Sequence, residues 1–291
     1  MGTDPISRTN QGQTTFNLIV QGPALDEKAV HALAAIANPS AVEQIASAAF
    51  RLRKALKDEA VAAWCDEHRI DYAWMPEGRR FADLKLLAMD MDSTLITIEC
   101  IDELGALAGK KAEIAAITEQ AMRGELDFPG ALRRRVAALE SLPESSLVEV
   151  YEKRLKLTPG AEDLLAACKR HSVKVLLVSG GFTFFTERLK ARLGLDYTIS
   201  NRLEIANGRL TGKVLGDIVG AEAKAKKFKD VMGELQARKE QTVAIGDGAN
   251  DLQMMAQAGL SIAFRAKPVV RAQADCALDW SGLDAVVNLF E

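Results

Sequence analysis

The stretch MDMDSTL, Met89 to Leu95, follows directly on the apolar run LKLLA and decides what fold the chain should adopt. A short apolar run of this kind is typical of a strand that is buried on both faces of a parallel sheet. The run leads into two carboxylates, Asp90 and Asp92, with one residue between them. Charged side chains are rarely left unpaired beside an apolar core. The stretch therefore predicts a buried strand whose carboxyl end carries a functional site.

The pattern beyond Asp83 alternates between strands and helices. Apolar strands such as VKVLLV and TVAI are separated by helical segments, and Asn207-Gly208 is a strong hairpin signal. A helix in PGAEDLLAACKRH should have Pro159 in its first turn. A mostly helical stretch at about 97–157 interrupts the alternation. We therefore predict an α/β fold with a Rossmann-like parallel sheet core, covered by helices on both faces, and a helical insertion.

Residues 16–76 have a pattern of their own and predict a small N-terminal α/β domain. FNLIVQG and IDYAWMP are predicted strands, DEKAVHALAAIA is a helix capped by Asp26, and AVEQIASAAFRLRK fits either a helix or a strand. Residues 77–83 are the predicted linker to a larger domain at 84–291. Residues 1–15 are polar and aperiodic, which indicates a disordered leader or a tag remnant. The small domain could bind a regulatory amino acid, form a dimer interface or only stabilise the fold.

Composition argues against several classes of partner. The 291 residues include 37 basic and 40 acidic side chains, with a net charge of −3 and no long basic face that would suit nucleic acid. No apolar stretch reaches the roughly 18 residues that a membrane-spanning helix needs. The four cysteines, at positions 65, 100, 168 and 276, fit neither a metal site nor a disulfide framework. They are predicted to be reduced thiols in or near the core of a cytoplasmic protein.

Three of the predicted strands end in polar or acidic residues: Asp90 and Asp92, Ser179, and Asp247. If the strands are parallel and adjacent, these ends meet at one crevice, where ligands bind in such sheets. Gathered carboxylates repel one another unless a cation neutralises them, and oxygen ligands without His or Cys suit Mg²⁺. Each aspartate taken singly could instead cap a following helix or turn. The three strand ends together favour a metal site.

Two glycine-rich turns lie at the same strand ends. SGG at 179–181 and GDGAND at 246–251 contain small residues that let backbone N–H groups approach an anion. An ordinary tight turn would need the same glycines. Lys224 could supply a positive charge to a phosphate, but Lys226 and Lys227 lie close by, which also fits a solvated helix face.

Four motifs match the order and spacing of the haloacid-dehalogenase superfamily of phosphohydrolases: DMDST at 90–94, VSGG at 178–181, a downstream lysine, and GDGAND at 246–251. Within that superfamily, residues 84–291 resemble the phosphoserine phosphatases in segments such as MDMDSTLITIECIDEL, RRRVAAL and LVSGGFTFF. The resemblance implies a Mg²⁺-dependent enzyme that hydrolyses O-phosphoserine, a small-molecule substrate, in the last step of serine biosynthesis. It does not extend to the N-terminal domain.

The resemblance also implies a role for each matching residue. Asp90 would attack the phosphorus to give a phosphoaspartyl enzyme, and Asp92 would protonate the leaving oxygen and then activate water. For these steps Asp92 must start protonated, so its pKa should be raised. Mg²⁺ would bind the side chains of Asp90 and Asp247 and the backbone carbonyl of Asp92, with Asp251 close to the metal.

The remaining implied residues would bind the substrate. Ser179, Gly180 and Lys224 would hold the phosphoryl oxygens. The helical insertion would be a cap, in which Glu99 binds the ammonium of the substrate and Arg135 binds its carboxylate. Met122 and Phe128 would be apolar cap residues that shield the substrate from water. Asn250, in the GDGAND segment that follows the strand TVAI, would also bind the substrate.

Other functional hypotheses stay open. A related phosphotransferase, or a phosphatase for another phosphomonoester, would share the same site chemistry. A non-catalytic binding module on the same fold would not need the full set of acidic and phosphate-holding residues. Arg135 could also be a surface arginine within RRR. No nucleic acid or membrane partner is expected, and whether the chain forms a homodimer is left open.

Overall fold

The computed structural model describes residues 15–291 and divides them into two compact units. One unit comprises the chain up to Arg79 together with Asn288–Glu291, and the other comprises Arg80–Val287. The predicted leader at residues 1–15 lies, apart from Thr15, outside the described residues. Each unit has an apolar core of its own.

The smaller unit is an antiparallel sheet with two helices against one face. Leu52 of the sheet packs with Leu33 and Val61 of the two helices. The first helix begins after Asp26, whose carboxylate accepts a 2.8 Å hydrogen bond from the Ala29 backbone N–H, as the sequence predicts. The strands lie in the order β2-β3-β1-β4, and the segment that fitted either a helix or a strand forms β2 and β3. The elements are β1 (Phe16–Gln21), α1 (Glu27–Ala37), β2 (Ala41–Ala46), β3 (Ala49–Ala55), α2 (Glu59–His68) and β4 (Asp71–Met75).

The last four residues belong to the smaller unit, whereas the sequence analysis placed them in the larger domain. Arg51 of β3 donates a 2.5 Å hydrogen bond to the backbone carbonyl of Phe290. Asn17 of β1 donates a 2.8 Å hydrogen bond to the Glu291 carboxylate. These bonds hold the last residues against the small sheet. A segment this short has no periodicity from which the contact could have been predicted.

The larger unit is built on a seven-stranded sheet. From residue 80 onward the strands are β5 (Leu86–Asp90), β6 (Lys174–Phe182), β7 (Tyr197–Ala206), β8 (Arg209–Leu215), β9 (Thr242–Gly246), β10 (Leu260–Phe264) and β11 (Cys276–Leu278). The helices are α3 (Cys100–Leu107), α4 (Lys111–Met122), α5 (Phe128–Ala137), α6 (Ser145–Glu149), α7 (Ala161–Arg170), α8 (Thr183–Leu193), α9 (Ala221–Glu234), α10 (Leu252–Met255), α11 (Pro268–Arg271) and α12 (Ala285–Asn288).

Strand β5 lies at the centre of the sheet, whose order is β11-β10-β9-β5-β6-β7-β8. It pairs in parallel with β6 and β9, and Asp90 lies opposite Val178 while Ala88 lies opposite Ala244. Among the described strands of this sheet, β8 alone is antiparallel to its neighbour. Every residue of β5 is buried, as expected for a strand covered on both faces. The predicted α/β fold with a Rossmann-like parallel core is confirmed.

The cysteines agree with a further prediction. All four cysteines are buried, which places them in the core. Between residues 15 and 291, no helix is long and apolar enough to cross a membrane.

Helices α3 to α6 lie between β5 and β6 in the chain and form the helical insertion. Helix α7, which follows them, begins at Ala161. Gly160, immediately before it, has a φ of 79°, a left-handed conformation that cannot be part of an α-helix. Pro159 therefore lies outside the helix, and the prediction that it occupies the first turn was wrong.

The β7–β8 hairpin turns at Asn207-Gly208, as predicted, and lies against the insertion. The Ser141 backbone N–H donates a 2.8 Å hydrogen bond to the carbonyl of Leu210 in β8. Gly212 of β8 has a φ of 78°, and a Cβ there would lie 3.1 Å from the Cβ of Glu140. The insertion is thus packed closely on the hairpin. Glycine suits position 212 because the backbone there is left-handed and because a side chain would press on Glu140.

Replacing Gly212 with Ala should lower the free energy of unfolding more than replacing Gly216, whose φ of 76° is nearly the same. Both substitutions force a Cβ into the left-handed region, which costs about 1–2 kcal/mol. Among the described residues, a Cβ at Gly216 would have no neighbour within 4 Å, so the Gly212 variant alone also presses on the insertion. Urea denaturation measures the difference, and equal losses would contradict the close packing of β8 on the insertion.

Candidate active site

The structure brings three acidic side chains together at the carboxyl ends of β5 and β9. Asp90 is the last residue of β5, and Asp247 follows the last residue of β9. Asp251 lies in the next turn and accepts a 3.2 Å hydrogen bond from the Gly248 backbone N–H. One carboxylate oxygen from each of the three aspartates lies within 4.8 Å of the other two. The parallel register of neighbouring strands produces this convergence.

Lys224 of α9 neutralises part of this charge from inside the protein. Its Nζ atom lies 2.6 Å from Asp90 Oδ1 and 2.8 Å from Asp251 Oδ1, and the side chain is fully buried. Burial opposes the charged ammonium, but the carboxylates of Asp251 and Asp90 outweigh it and raise the pKa of Lys224. The alternative that Lys224 belongs to a solvated helix face was wrong, because its own side chain is buried, whereas Lys226 lies on the exposed side of the same helix.

The three carboxylates retain a negative excess after pairing with one ammonium. Burial and the charge of Asp251 raise the pKa of Asp247 to about 7. Burial and Asp251 also raise the pKa of Asp90, and Lys224 counteracts this shift. Each of these shifts reports a carboxylate that would gain from a further cation. The donor set consists of hard oxygens alone, so the cluster fits a divalent metal ion of the hard type.

Asp92 lies in a kinked turn that follows β5. It has extended backbone angles, and Ser93 after it has a left-handed φ of 56°, so the regular strand does not continue. The Cys100 backbone N–H donates a 2.8 Å hydrogen bond to Asp92 Oδ1. On the other side, the Ser179 hydroxyl lies 3.4 Å from Asp92 Oδ2. Burial and the nearby Glu99 raise the pKa of Asp92 to about 7. The group can therefore both donate and accept a proton near neutral pH.

Glu99 and Arg135 lie on the insertion side of the cluster. Ser93 Oγ donates a 2.7 Å hydrogen bond to Glu99 Oε1. Burial lowers the pKa of Arg135, whereas the carboxylates of Asp102 and Glu99 counteract that shift, which places all three charges near one another. The Arg135 Nε atom is buried and, within residues 15–291, has no hydrogen-bond partner. A guanidinium in this state is suited to receive an anionic ligand.

The end of β6, where its pairing with β7 is irregular between Val178 and Phe182, faces Asp92 and the insertion. Ser179 is fully buried, and its hydroxyl accepts a 2.8 Å hydrogen bond from the Gly181 backbone N–H. A Cβ at Gly181 would lie 2.9 Å from Asp92 Oδ2, and a Cβ at Gly180 would lie 2.9 Å from Cζ of Phe128. Both glycines are therefore needed for close approach, and Phe128 brings the insertion into contact with this end of β6.

Met122 and Asn250, two further predicted residues, are less buried than Asp90 and Asp92. Met122, the last residue of α4, is 68% exposed. Asn250 is half-buried in the turn that follows β9.

Sequence reasoning missed Lys267, which lies beside the cluster. Its backbone N–H donates a 3.1 Å hydrogen bond to the carbonyl of Asp247, and its charge lowers the pKa of Asp247 against the effect of burial. A signal was present: Lys267 follows β10, the neighbour of β9, at the same edge of the sheet.

Comparison with known proteins shows which family this chain belongs to. The model of the haloacid dehalogenase-like hydrolase family matches residues 87–256. A second model, described as a domain of unknown function, matches residues 18–61. The chain belongs to the haloacid dehalogenase-like hydrolase family.

Within this family, the chain is similar to phosphoserine phosphatases. The chain is 54% identical to the phosphoserine phosphatase of Polaromonas sp. over 215 residues, which are 72% of this chain and 91% of the relative. The crystal structure of a probable phosphoserine phosphatase from Vibrio cholerae is 39% identical, with a TM-score of 0.81 over 94% of this chain and 86% of that one. A phosphoaspartyl intermediate analogue of phosphoserine phosphatase is also 39% identical, with a TM-score of 0.67 over 72% of this chain and 99% of that one.

Replacing Lys224 with Gln should destabilise the metal-free protein by about 3–5 kcal/mol, because two buried carboxylates lose their cation. Lys226 is the matched control: it pairs with Asp230 at 2.9 Å on the exposed side of the same helix. Lys226→Gln should leave stability nearly unchanged, since exposed ion pairs contribute little. Denaturant unfolding in the presence of a chelator compares the variants. Similar small changes in both would contradict the central role of the Lys224 pairs.

Proposed function

We propose that this chain is a phosphoserine phosphatase, which hydrolyses O-phosphoserine to serine and inorganic phosphate through a phosphoaspartyl intermediate on Asp90. One observation carries the proposal. A buried carboxylate, paired with Lys224 at 2.6 Å, lies two residues from Asp92, whose pKa is about 7. The first group is arranged as a nucleophile and the second as an acid and base. The identity with phosphoserine phosphatases supports the choice of substrate.

In the first step, a bond forms between an Asp90 oxygen and phosphorus while the bond from phosphorus to the serine oxygen breaks. Lys224 holds Asp90 Oδ1, which leaves Oδ2 for the attack. Asp92 gives its proton to the departing serine oxygen. In the second step, water attacks the same phosphorus, Asp92 takes a proton from that water, and Asp90 leaves as a carboxylate.

The environment of Asp92 supports both of its roles. Burial and the nearby Glu99 favour the neutral acid, whereas the hydrogen bond from the Cys100 backbone N–H favours the carboxylate. The resulting pKa of about 7 lets the group start each cycle protonated, give up its proton in the first step and regain one from water in the second. Asp90, which pairs with an ammonium, has a different environment although it lies only two residues away.

The phosphoryl oxygens would be held by Ser179, the Gly180 backbone N–H and Lys224. Fixed donors of this kind stabilise the charge that develops during phosphoryl transfer. Phe128, which packs on Gly180, would exclude water from the same region. The half-buried Asn250, in the turn that follows β9, would add a substrate contact.

Mg²⁺ is the proposed metal. The side chains of Asp90 and Asp247 and the backbone carbonyl of Asp92 would hold it, with Asp251 close by. The negative excess of the carboxylate cluster and its all-oxygen donor set support this choice. When bound, the ion supplies positive charge to the phosphoryl oxygens.

The helical insertion at about 97–157 is proposed to act as the cap that selects the substrate. Arg135, whose Nε atom has no partner in residues 15–291, would bind the substrate carboxylate. Glu99, oriented by Ser93, would bind the substrate ammonium. Met122 would cover the substrate only if the cap closes further, because it is 68% exposed.

A phosphate-release assay on a panel of phosphomonoesters tests the proposed function. O-phosphoserine should give the highest kcat/KM, above sugar phosphates and p-nitrophenyl phosphate. A preference for a sugar phosphate would overturn the assignment of substrate. Transfer of phosphate to an added alcohol in place of water would instead identify a phosphotransferase.

Chelation of divalent cations should abolish phosphate release, and added Mg²⁺ should restore it. Ca²⁺ should substitute poorly, because it takes more oxygen ligands at longer distances and would change how Asp90 is oriented. The same titrations can follow the thermal unfolding midpoint, which Mg²⁺ should raise by binding the native state. Full activity with Ca²⁺ as the only added metal would contradict this picture of the site.

Replacing Arg135 with Ala should reduce kcat/KM for phosphoserine roughly ten- to a hundredfold, because a charge-assisted hydrogen bond contributes about 1.5–3 kcal/mol. Hydrolysis of p-nitrophenyl phosphate, which has no carboxylate, should change much less. Arg133→Ala, at an exposed position two residues earlier, is the control and should affect neither substrate. An equal loss for both substrates in the Arg135 variant would show that this arginine is structural.

A further inference from the structure

Asn201 of β7 is a buried polar side chain that the proposed mechanism does not use. It is 1% exposed and lies opposite Phe182 in the pairing of β7 with β6. An amide side chain that is removed from water must find partners for its oxygen and its nitrogen inside the protein. Asn201 finds them in two separate segments of the backbone.

The first segment is the irregular end of β6. Asn201 Nδ2 donates a 2.9 Å hydrogen bond to the carbonyl oxygen of Gly180. The second is the segment before α9, where Asn201 Oδ1 accepts a 2.8 Å hydrogen bond from the Val219 backbone N–H and Nδ2 lies 3.4 Å from the Val219 carbonyl. One side chain thus joins the end of β6 at Gly180 to the residue that precedes the N-cap of α9.

Helix α9 carries Lys224 in its first turn. The Lys224 backbone N–H donates a 3.0 Å hydrogen bond to the carbonyl of Gly220, the residue that follows Val219. The position of the ammonium therefore depends on where Asn201 holds the start of this helix. The two groups that are proposed to hold the phosphoryl oxygens, the Gly180 N–H and the Lys224 ammonium, thus belong to the two segments that Asn201 joins.

Phe128 of the insertion contacts the same two segments. A Cβ at Gly180 would lie 2.9 Å from Phe128 Cζ, and a Cβ at Gly220 would lie 3.3 Å from Phe128 Cδ1. The ring thus packs across the two backbone segments that Asn201 joins. A change in their spacing would alter the surface on which the insertion closes.

We propose that Asn201 is a positioning residue for the phosphoryl group, because it sets the distance between the end of β6 at Gly180 and the N-terminus of the helix that carries Lys224. The inference rests on the proposed function of Gly180 and Lys224. It differs from the role given to Arg135, because it concerns the phosphate that every substrate shares. All monoesters should therefore depend on Asn201 to the same extent.

Two substitutions test the proposal. Asn201→Ala removes all the bonds, and Asn201→Asp keeps an acceptor for the Val219 N–H but removes the donor to Gly180. Both should lower kcat/KM roughly ten- to a hundredfold for phosphoserine and equally for p-nitrophenyl phosphate, since small displacements of charge-holding groups are costly. The inhibition constant of inorganic phosphate, measured with Mg²⁺, should rise in parallel.

Thr242→Val is the matched control for a purely structural effect. Thr242 is fully buried at the opposite, amino-terminal end of β9, where its hydroxyl donates a 2.7 Å hydrogen bond to Lys239 and accepts a 3.1 Å one from Gly259. Loss of the Thr242 hydroxyl should lower the thermal unfolding midpoint. The kcat/KM and the inhibition constant of phosphate should stay within about twofold of the parent values, because substitutions at distant sites that share no partners act independently. Kinetics are compared at a temperature where all variants are folded.

The proposal is overturned if folded Asn201 variants keep kcat/KM and phosphate inhibition at the level of the Thr242 control. It is also overturned if the loss is confined to phosphoserine, or if neither Asn201 variant folds, which would make the amide structural. A wrong assignment of the substrate would be seen separately. If the parent enzyme hydrolyses p-nitrophenyl phosphate but not phosphoserine, the proposed substrate is refuted, and the Asn201 variants can still be tested with p-nitrophenyl phosphate.

Discussion

The pairing of Lys224 with Asp90 and Asp251 is the interaction on which the rest of the site depends. Each charge would be strongly unfavourable if it were buried alone, and the group is stable only as a set. The three residues come from the start of α9, the end of β5 and the turn after β9, so the set joins segments that are far apart in the chain. The charges that would act on a phosphoryl group are therefore in position before a substrate arrives, which is the condition for electrostatic catalysis.

The sheet makes this pairing possible and gives two neighbouring carboxyl groups different properties. Because β5 lies between β6 and β9 in parallel register, Asp90 meets a cation and a carboxylate cluster at the edge of the sheet. The kinked turn after β5 then turns Asp92 toward the Cys100 N–H and the Ser179 hydroxyl instead. Asp90 is paired with an ammonium, whereas burial and Glu99 raise the pKa of Asp92 to about 7. The two environments correspond to the two proposed roles, a nucleophile and an acid and base.

Much of this could be predicted from the sequence, since the predictions used strong local signals. The apolar strands, the Asn207-Gly208 hairpin and the aspartates at strand ends follow from periodicity and from the topology of parallel sheets. Long-range contacts had no such signal. Lys224 could not be told from an exposed lysine, because only the packing of α9 shows which face is buried. The bonds of Asn201 to Gly180 and Val219 join residues 21 and 18 positions apart in the chain, and no local pattern indicates them.

Identification of the phosphorylated residue tests the central claim most directly. The enzyme should be mixed with phosphoserine and Mg²⁺, quenched in acid within the first turnovers, digested and examined by mass spectrometry. The account predicts a phosphoryl group on the peptide that contains Asp90, and none on the same peptide of the Asp90→Asn variant, which should also fail to release phosphate. A phosphoryl group on any other residue, or release of phosphate by Asp90→Asn at the parent rate, would contradict it.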